Sequence, residues 1–207
     1  MLARVLPETV SILASDINQA MLDFAAAQPG LARISWRQAD ALALPFDDAA
    51  YDAVLCQFGV MFFPDRVAGY REAWRVLKPG GRFVFNVWDR IEHNEFCWIV
   101  SEAMARLFPK NPPGLLARMP YGYFDTDLIR NELTRAGFGR IAIETVNRQS
   151  AAPSAHDLAI GFCQGSPLRS EIEERDPNRL GGATDAATKA LLSRFGDGPS
   201  LGRCVLM

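Results

Sequence analysis

Residues 9–22, TVSILASDINQAML, run a short apolar stretch into a carboxylate and then straight into a helix, and the reading of that junction decides the fold. Val10, Ile12 and Leu13 supply the apolar run and Asp16 bounds it, which predicts a buried strand. Asn18 is a fitting N-cap, Met21, Leu22 and Ala25 recur at helical spacing, and Pro29-Gly30 stops the helix. Upstream, residues 2–6 read as the last turns of a preceding helix, ended before Pro7.

The same unit recurs on the C-terminal side. Residues 34–37 predict a second strand, followed by another acid, Asp40, and residues 51–57 predict a third after a loop carrying Pro45 and Asp47-Asp48. Val67, Tyr70, Trp74 and Leu77 fall at steps of three and four, marking an amphipathic helix that Pro79-Gly80-Gly81 is expected to end before the apolar run 82–88. Strands alternating with helices in this way predict an α/β fold with a parallel, doubly wound sheet. Past Asp89 the rhythm changes: a helix over 95–108, an irregular loop over 109–122, a helix from Asp125 to Ala136, and a strand through Ile141, Ile143 and Val146. Ser166-Pro167 is expected to open one further helix and Thr184 to cap another over 185–195, before a final strand over 201–207.

Composition narrows the function. With 207 residues, 49% hydrophobic and 22% charged, the chain can bury one substantial core, so a single domain is expected. The net charge of -2 and the lack of a basic patch argue against nucleic acid as a partner. The four cysteines stand far apart without C-x-x-C spacing and the histidines number only 2, which predicts buried thiols rather than a zinc site or disulfides. The opening residues have too short an apolar run for a signal peptide and no stretch approaches the ~20 apolar residues of a membrane span, so a cytoplasmic protein without an integral membrane segment is expected.

The two carboxylates carry the first chemical hint. In a doubly wound sheet the ligand lies beyond the carboxyl ends of the strands, and an acid at a strand tip can accept both hydroxyls of a ribose. Asp16 fits that post, although an Asp between strand and helix also serves well as a turn residue. Asp40 ends the neighbouring strand in ISWRQADALALPF, where it could accept from an adenine amino group, and two adjacent acidic tips make a half-site for adenosine.

ASDINQAML, QADALALPFDDAAYDAVLCQFGVMFFPD and EAWRVLKPGGRFVFNVWD occur in order, and in that order they resemble the successive motifs of the class I S-adenosylmethionine-dependent methyltransferases, closest to the ubiquinone/menaquinone biosynthesis C-methyltransferase branch. The resemblance covers roughly residues 1–89, which it makes the cofactor-binding half; residues 90–207 correspond to the variable, substrate-covering half with a helical cap after the fifth strand. It implies transfer of a methyl group from S-adenosylmethionine to a small-molecule acceptor. It also implies that Asp16 holds the ribose, Ile17 packs on the adenine, Asp40 and Ala41 recognise the adenine edge, and Gln57 and Phe58 border the methionine part and the reacting methyl. Ile17 and Phe58 would be core residues in most folds, and Gln57 could equally satisfy a backbone group.

The family pattern begins with a strand and a glycine-rich loop, and the first glycines here are Gly30 and Gly59. The expectation is therefore a chain truncated at the N-terminus, its sheet lacking a central strand between those ending at Asp16 and Gln57. A non-catalytic methyltransferase-like partner module is the alternative, and a nucleotide-dependent oxidoreductase a further one, since dehydrogenases also put an acid after their second strand. No catalytic side chain is required by the chemistry; His93, Tyr123 and Asp125 are the candidates should an acceptor need a general base. Phe96, Trp98, Met104, Leu107, Leu115 and Leu116 could line a hydrophobic acceptor pocket or form core.

Overall fold

The computed structural model describes residues 2–207, with a first helix α1 (Leu2–Val5). Strand β1 (Ile12–Asp16) passes into α2 (Gln19–Ala26), and Asn18 caps that helix by accepting the Ala20 N–H at 2.9 Å. Strand β2 (Ile34–Gln38) pairs with β1 in parallel, in a register that sets Ile12 against Ile34 and Asp16 against Gln38. Strand β3 (Tyr51–Gln57) is followed by α3 (Arg66–Val76), capped by Asp65, and by β4 (Leu77–Asn86). The Ala50 N–H bonds to the Val76 carbonyl and the Phe58 N–H to the Asn86 carbonyl, so β3 and β4 advance together and run parallel.

The strands form three two-stranded sheets: β1 with β2, β3 with β4, and β5 with β6. Among the described residues β1 is thus bonded on one edge, and it does not join β3. The strand expected over 82–88 begins earlier, at Leu77, because the chain leaves α3 already extended and Pro79-Gly80-Gly81 is accommodated within β4, with Gly80 at a φ of +82°. A side chain at Gly81 would meet the Lys78 and Asp52 carbonyls at 2.9 and 3.1 Å.

The residues divide into two interleaved units. One comprises residues 1–54, 63–83 and 135–138 and holds the β1–β2 pair, α2 and α3. In it Tyr70, Phe83, Phe138 and Trp74 form a chain of edge and tilted ring contacts, and Gly137 takes a φ of +110° beside the Trp74 indole.

The other unit comprises residues 55–62, 84–134 and 139–207. Its core is helical: α4 (Glu95–Leu107), α7 (Ala155–Cys163), α8 (Leu168–Arg175) and α9 (Leu180–Phe195) bury Phe96, Val100, Met104, Ala159, Cys163, Ile172, Ala187 and Leu191 together. Short α5 (Leu115–Arg118) interrupts the loop expected over 109–122, held by Glu171, which accepts the Gly114 and Leu115 N–H groups and pairs with Arg118 at 2.6 Å. Helix α6 (Thr126–Arg135) is capped by Asp125. Strands β5 (Val146–Ala152) and β6 (Ser200–Leu206) pair antiparallel, and β6 continues the ladder onto residues 87–89 through the Trp88–Leu206 bridge.

Candidate functional site

Asp16 and Asp40 lie at the same end of the β1–β2 pair. Asp16 ends β1 opposite Gln38, the last residue of β2, and Asp40 follows two residues beyond it in the turn after the strand. Each carboxylate makes a local turn: Asp16 Oδ1 accepts the Asn18 N–H at 2.8 Å and Asp40 Oδ1 accepts the Leu42 N–H at 2.9 Å. The second oxygen of each, Oδ2, has no partner among the described residues, so both tips present an exposed acceptor. Between them Gln38 donates to the Ile17 carbonyl at 2.9 Å and fixes the start of the turn, while the Ile17 side chain is 65% exposed, an apolar surface beside the acids. Ala41 is half-buried beyond Asp40. Four of the sequence-predicted residues, Asp16, Ile17, Asp40 and Ala41, are therefore brought together by one strand pair.

In the other unit the β3 tip carries Gln57, exposed, and Phe58, whose φ of +51° puts a bulky residue in the left-handed region. That conformation costs on the order of 1–3 kcal/mol and persists only when its surroundings hold it. Here they do: the Phe58 N–H reaches the Asn86 carbonyl and Oδ1 at 3.2 and 3.3 Å, and its ring stacks on Trp88 with centroids 4.2 Å apart and planes 16° from parallel. A Cβ at Gly59 would stand 2.6 Å from Cys56 Sγ, so a side chain there requires the thiol to shift. Asn86 and Trp88 are residues to which the sequence reading gave no role; the signal available was a polar residue ending an apolar run, the same pattern that marked Asp16.

The proposed bases divide. Tyr123 is buried and donates to Glu132 at 2.6 Å, and Asp125 is engaged as a helix cap. His93, in the single turn Ile91–His93, meets Asp89 Oδ2 through Nδ1 at 2.6 Å, with side-chain exposures of 46% and 15%. Of the apolar candidates, Phe96, Met104 and Leu116 belong to the helical core and Leu107 packs against it, so they are structural. Burial pushes the Cys97 thiol up to about 12, against the lowering effect of its Tyr121 contact, and burial pushes Cys163 up to about 11. Cys56 and Cys204 are only half-buried, unlike the burial expected of all four cysteines. No group of metal-ligating side chains occurs among the described residues, nor is any helix there long and apolar enough to cross a membrane.

Comparison with known proteins adds to this geometry. Residues 1–85 match the methyltransferase domain family. The demethylmenaquinone methyltransferase of Deinococcus radiodurans is 48% identical over 77 residues, 36% of this chain and 32% of that protein. The ubiquinone/menaquinone biosynthesis C-methyltransferase UbiE of Geobacter sulfurreducens is 35% identical over 112 residues, 52% of this chain and 44% of that protein. The chain thus spans less than half the length of these curated relatives. The crystal structure of an arsenic(III) S-adenosylmethionine methyltransferase from Chlamydomonas reinhardtii superposes with a TM-score of 0.51 at 17% identity, covering 99% of this chain and 56% of that one. Residues 1–85 are therefore similar in sequence to a methyltransferase domain, and the chain shares its α/β fold with that solved structure.

Proposed function

We propose that the chain transfers a methyl group from S-adenosylmethionine to a small-molecule acceptor in the cytoplasm. The observation that carries the reading is the pair of acidic tips on β1 and β2, each with one carboxylate oxygen fixed by the backbone and the other open. An ionised, acceptor-only group suits a ribose diol and an adenine amino group better than an amide does. Asp16 takes the ribose hydroxyls, Ile17 covers the base, and Asp40 with the Ala41 backbone reads the adenine edge. Gln57 and Phe58 serve the methyl-bearing end, where a strained, doubly anchored backbone is a usual mark of a working position.

The cofactor, when bound, supplies a methyl group on a sulfonium that leaves without help from a nucleophilic side chain. What remains for the protein is to orient an electron-rich acceptor atom and to exclude water, which is catalysis by proximity. Rigidity at the β3 tip serves that purpose, since Phe58 is locked by two hydrogen bonds and a stacked indole. Incubating the chain with methyl-labelled S-adenosylmethionine and a panel of aromatic and quinone-like acceptors tests the reading. Label transfer that disappears in Asp16→Ala supports it, and equal transfer by the variant contradicts it.

A further inference from the structure

We propose that His93 is the proton acceptor for a hydroxyl-bearing methyl acceptor, with Asp89 as its positioning residue; the inference rests on the methyl-transfer reading above. A carboxylate can only accept, so the 2.6 Å contact between Asp89 Oδ2 and His93 Nδ1 assigns the Nδ1 proton, and in the neutral ring the lone pair is then on Nε2. His93 Nε2 has no partner among the described residues, and the ring is 46% exposed while the carboxylate behind it is 15% exposed. A base needs that arrangement: the orienting group withdrawn from water, the working nitrogen open.

The carboxylate is itself held from several directions. Asp89 Oδ1 accepts the Arg90 N–H at 2.7 Å, and the Asp89 N–H donates to the Val205 carbonyl at 3.0 Å. Asn94, 2% exposed, donates to the Asp89 and Arg90 carbonyls and accepts the Val205 N–H, pinning the His93 turn to β6. Asp89 directly follows Trp88, the indole on which Phe58 stacks, so the backbone that carries the dyad continues the segment that packs against the β3 tip. In the step, the acceptor's O–H bond breaks, its electron pair stays on oxygen, the proton moves to Nε2, and the imidazolium facing Asp89 later releases it to water. Tyr123 donates its hydroxyl to Glu132, and Asp125 Oδ1 accepts the Asp127 and Leu128 N–H groups as the cap of α6.

The full chain contains 2 histidines, so ring resonances are assignable with a His156→Gln variant. Nitrogen-detected long-range spectra should show neutral His93 protonated on Nδ1, and Asp89→Asn should redistribute the tautomers. Added 4-methylphenol should shift the His93 ring signals and leave those of His156 in place. With S-adenosylmethionine, His93→Gln should lose at least ~100-fold in methylation of 4-methylphenol, in keeping with general-base catalysis, and under ~10-fold for 4-nitrophenol, which ionises without help. Affinity for S-adenosylhomocysteine should be unchanged by the substitution. An Nε2-protonated ring, no response of His93 to the phenol, or equal losses on both phenols would overturn the proposal. Failure of the wild-type chain to bind S-adenosylhomocysteine would instead count against the methyl-transfer reading, and the tautomer and phenol responses would still decide the role of His93.

Discussion

Phe58 and Gly59 show how single residues set the candidate site. The left-handed φ of Phe58 turns the chain sharply at the strand tip, and the turn brings position 59 so close to Cys56 that a Cβ there would displace the thiol. Gly59→Ala should therefore cost about 1–3 kcal/mol in urea unfolding, because the sulfur or the strand must move. Cys56→Ala placed in the same chain should recover most of that loss. Thiol reactivity follows burial in the same way: a Cys97 thiol near 12 and a Cys163 thiol near 11 carry almost no thiolate at neutral pH. Iodoacetamide followed by mass spectrometry should label neither in the folded protein and all four cysteines in denaturant.

Among elements, α3 is fixed to the segment before β3 by the side chains of Arg75 and Glu72. Arg75 bonds the Leu44 and Phe46 carbonyls at 2.8 and 2.7 Å, Asp48 at 2.7 Å, and Glu72 on its own helix, which in turn accepts the Leu44 N–H. Arg75→Ala leaves those carbonyls and the Glu72 carboxylate without their donor and should destabilise by on the order of 2–3 kcal/mol in denaturant titration. The Arg75 hydrogen bonds hold the Glu72 carboxyl below its ordinary 4.5. Burial tends to raise Glu171, but Arg118 and the Leu115 and Gly114 N–H groups outweigh it and bring it below 4.5 as well. Unfolding restores the ordinary value, so both contributions are complete above about pH 4.5 and are lost as pH falls through the lower folded values. Thermal scans should show stability dropping below that pH, less steeply in Glu72→Gln.

The first half of the chain was legible because each element carries its own punctuation. Asn18 caps as read, and β3 spans the predicted 51–57. Later elements are decided by packing. Alternating Ile141 and Ile143 predict a strand, yet residues 139–145 pair with none, and the Arg130 guanidinium takes the Ile141 carbonyl instead; β5 starts only at Val146. Thr184 does not cap α9 but lies inside it, buried, its hydroxyl donated to the Leu180 carbonyl. The Gly181-Gly182 pair argues locally against a helix there, and the burial of Ala183, Ala187 and Leu191 in the helical core outweighs that cost. Helix α7 was missed although Ser154 with Asp157 is a clear cap, because its buried face is made of the small residues Ala155, Ala159 and Cys163.

For the molecule as a whole, the α/β fold agrees with the motifs read in order along residues 1–89, and among the described residues the β1–β2 and β3–β4 pairs are separate sheets. The acids at 16 and 40 were readable from their place after apolar runs; the Asp89–His93 contact was not, since it depends on a turn whose geometry β6 imposes from far along the chain. What the account needs above all is that one adenosyl ligand engages both acidic tips. Calorimetric titration of S-adenosylhomocysteine into the chain and into Asp16→Asn and Asp40→Asn measures this directly. Asn preserves the local turn, so folding should hold while each substitution weakens binding by at least ~10-fold, the worth of a charge-assisted hydrogen bond. Affinity unaltered by either substitution, or no binding by the unmodified chain, would contradict the account.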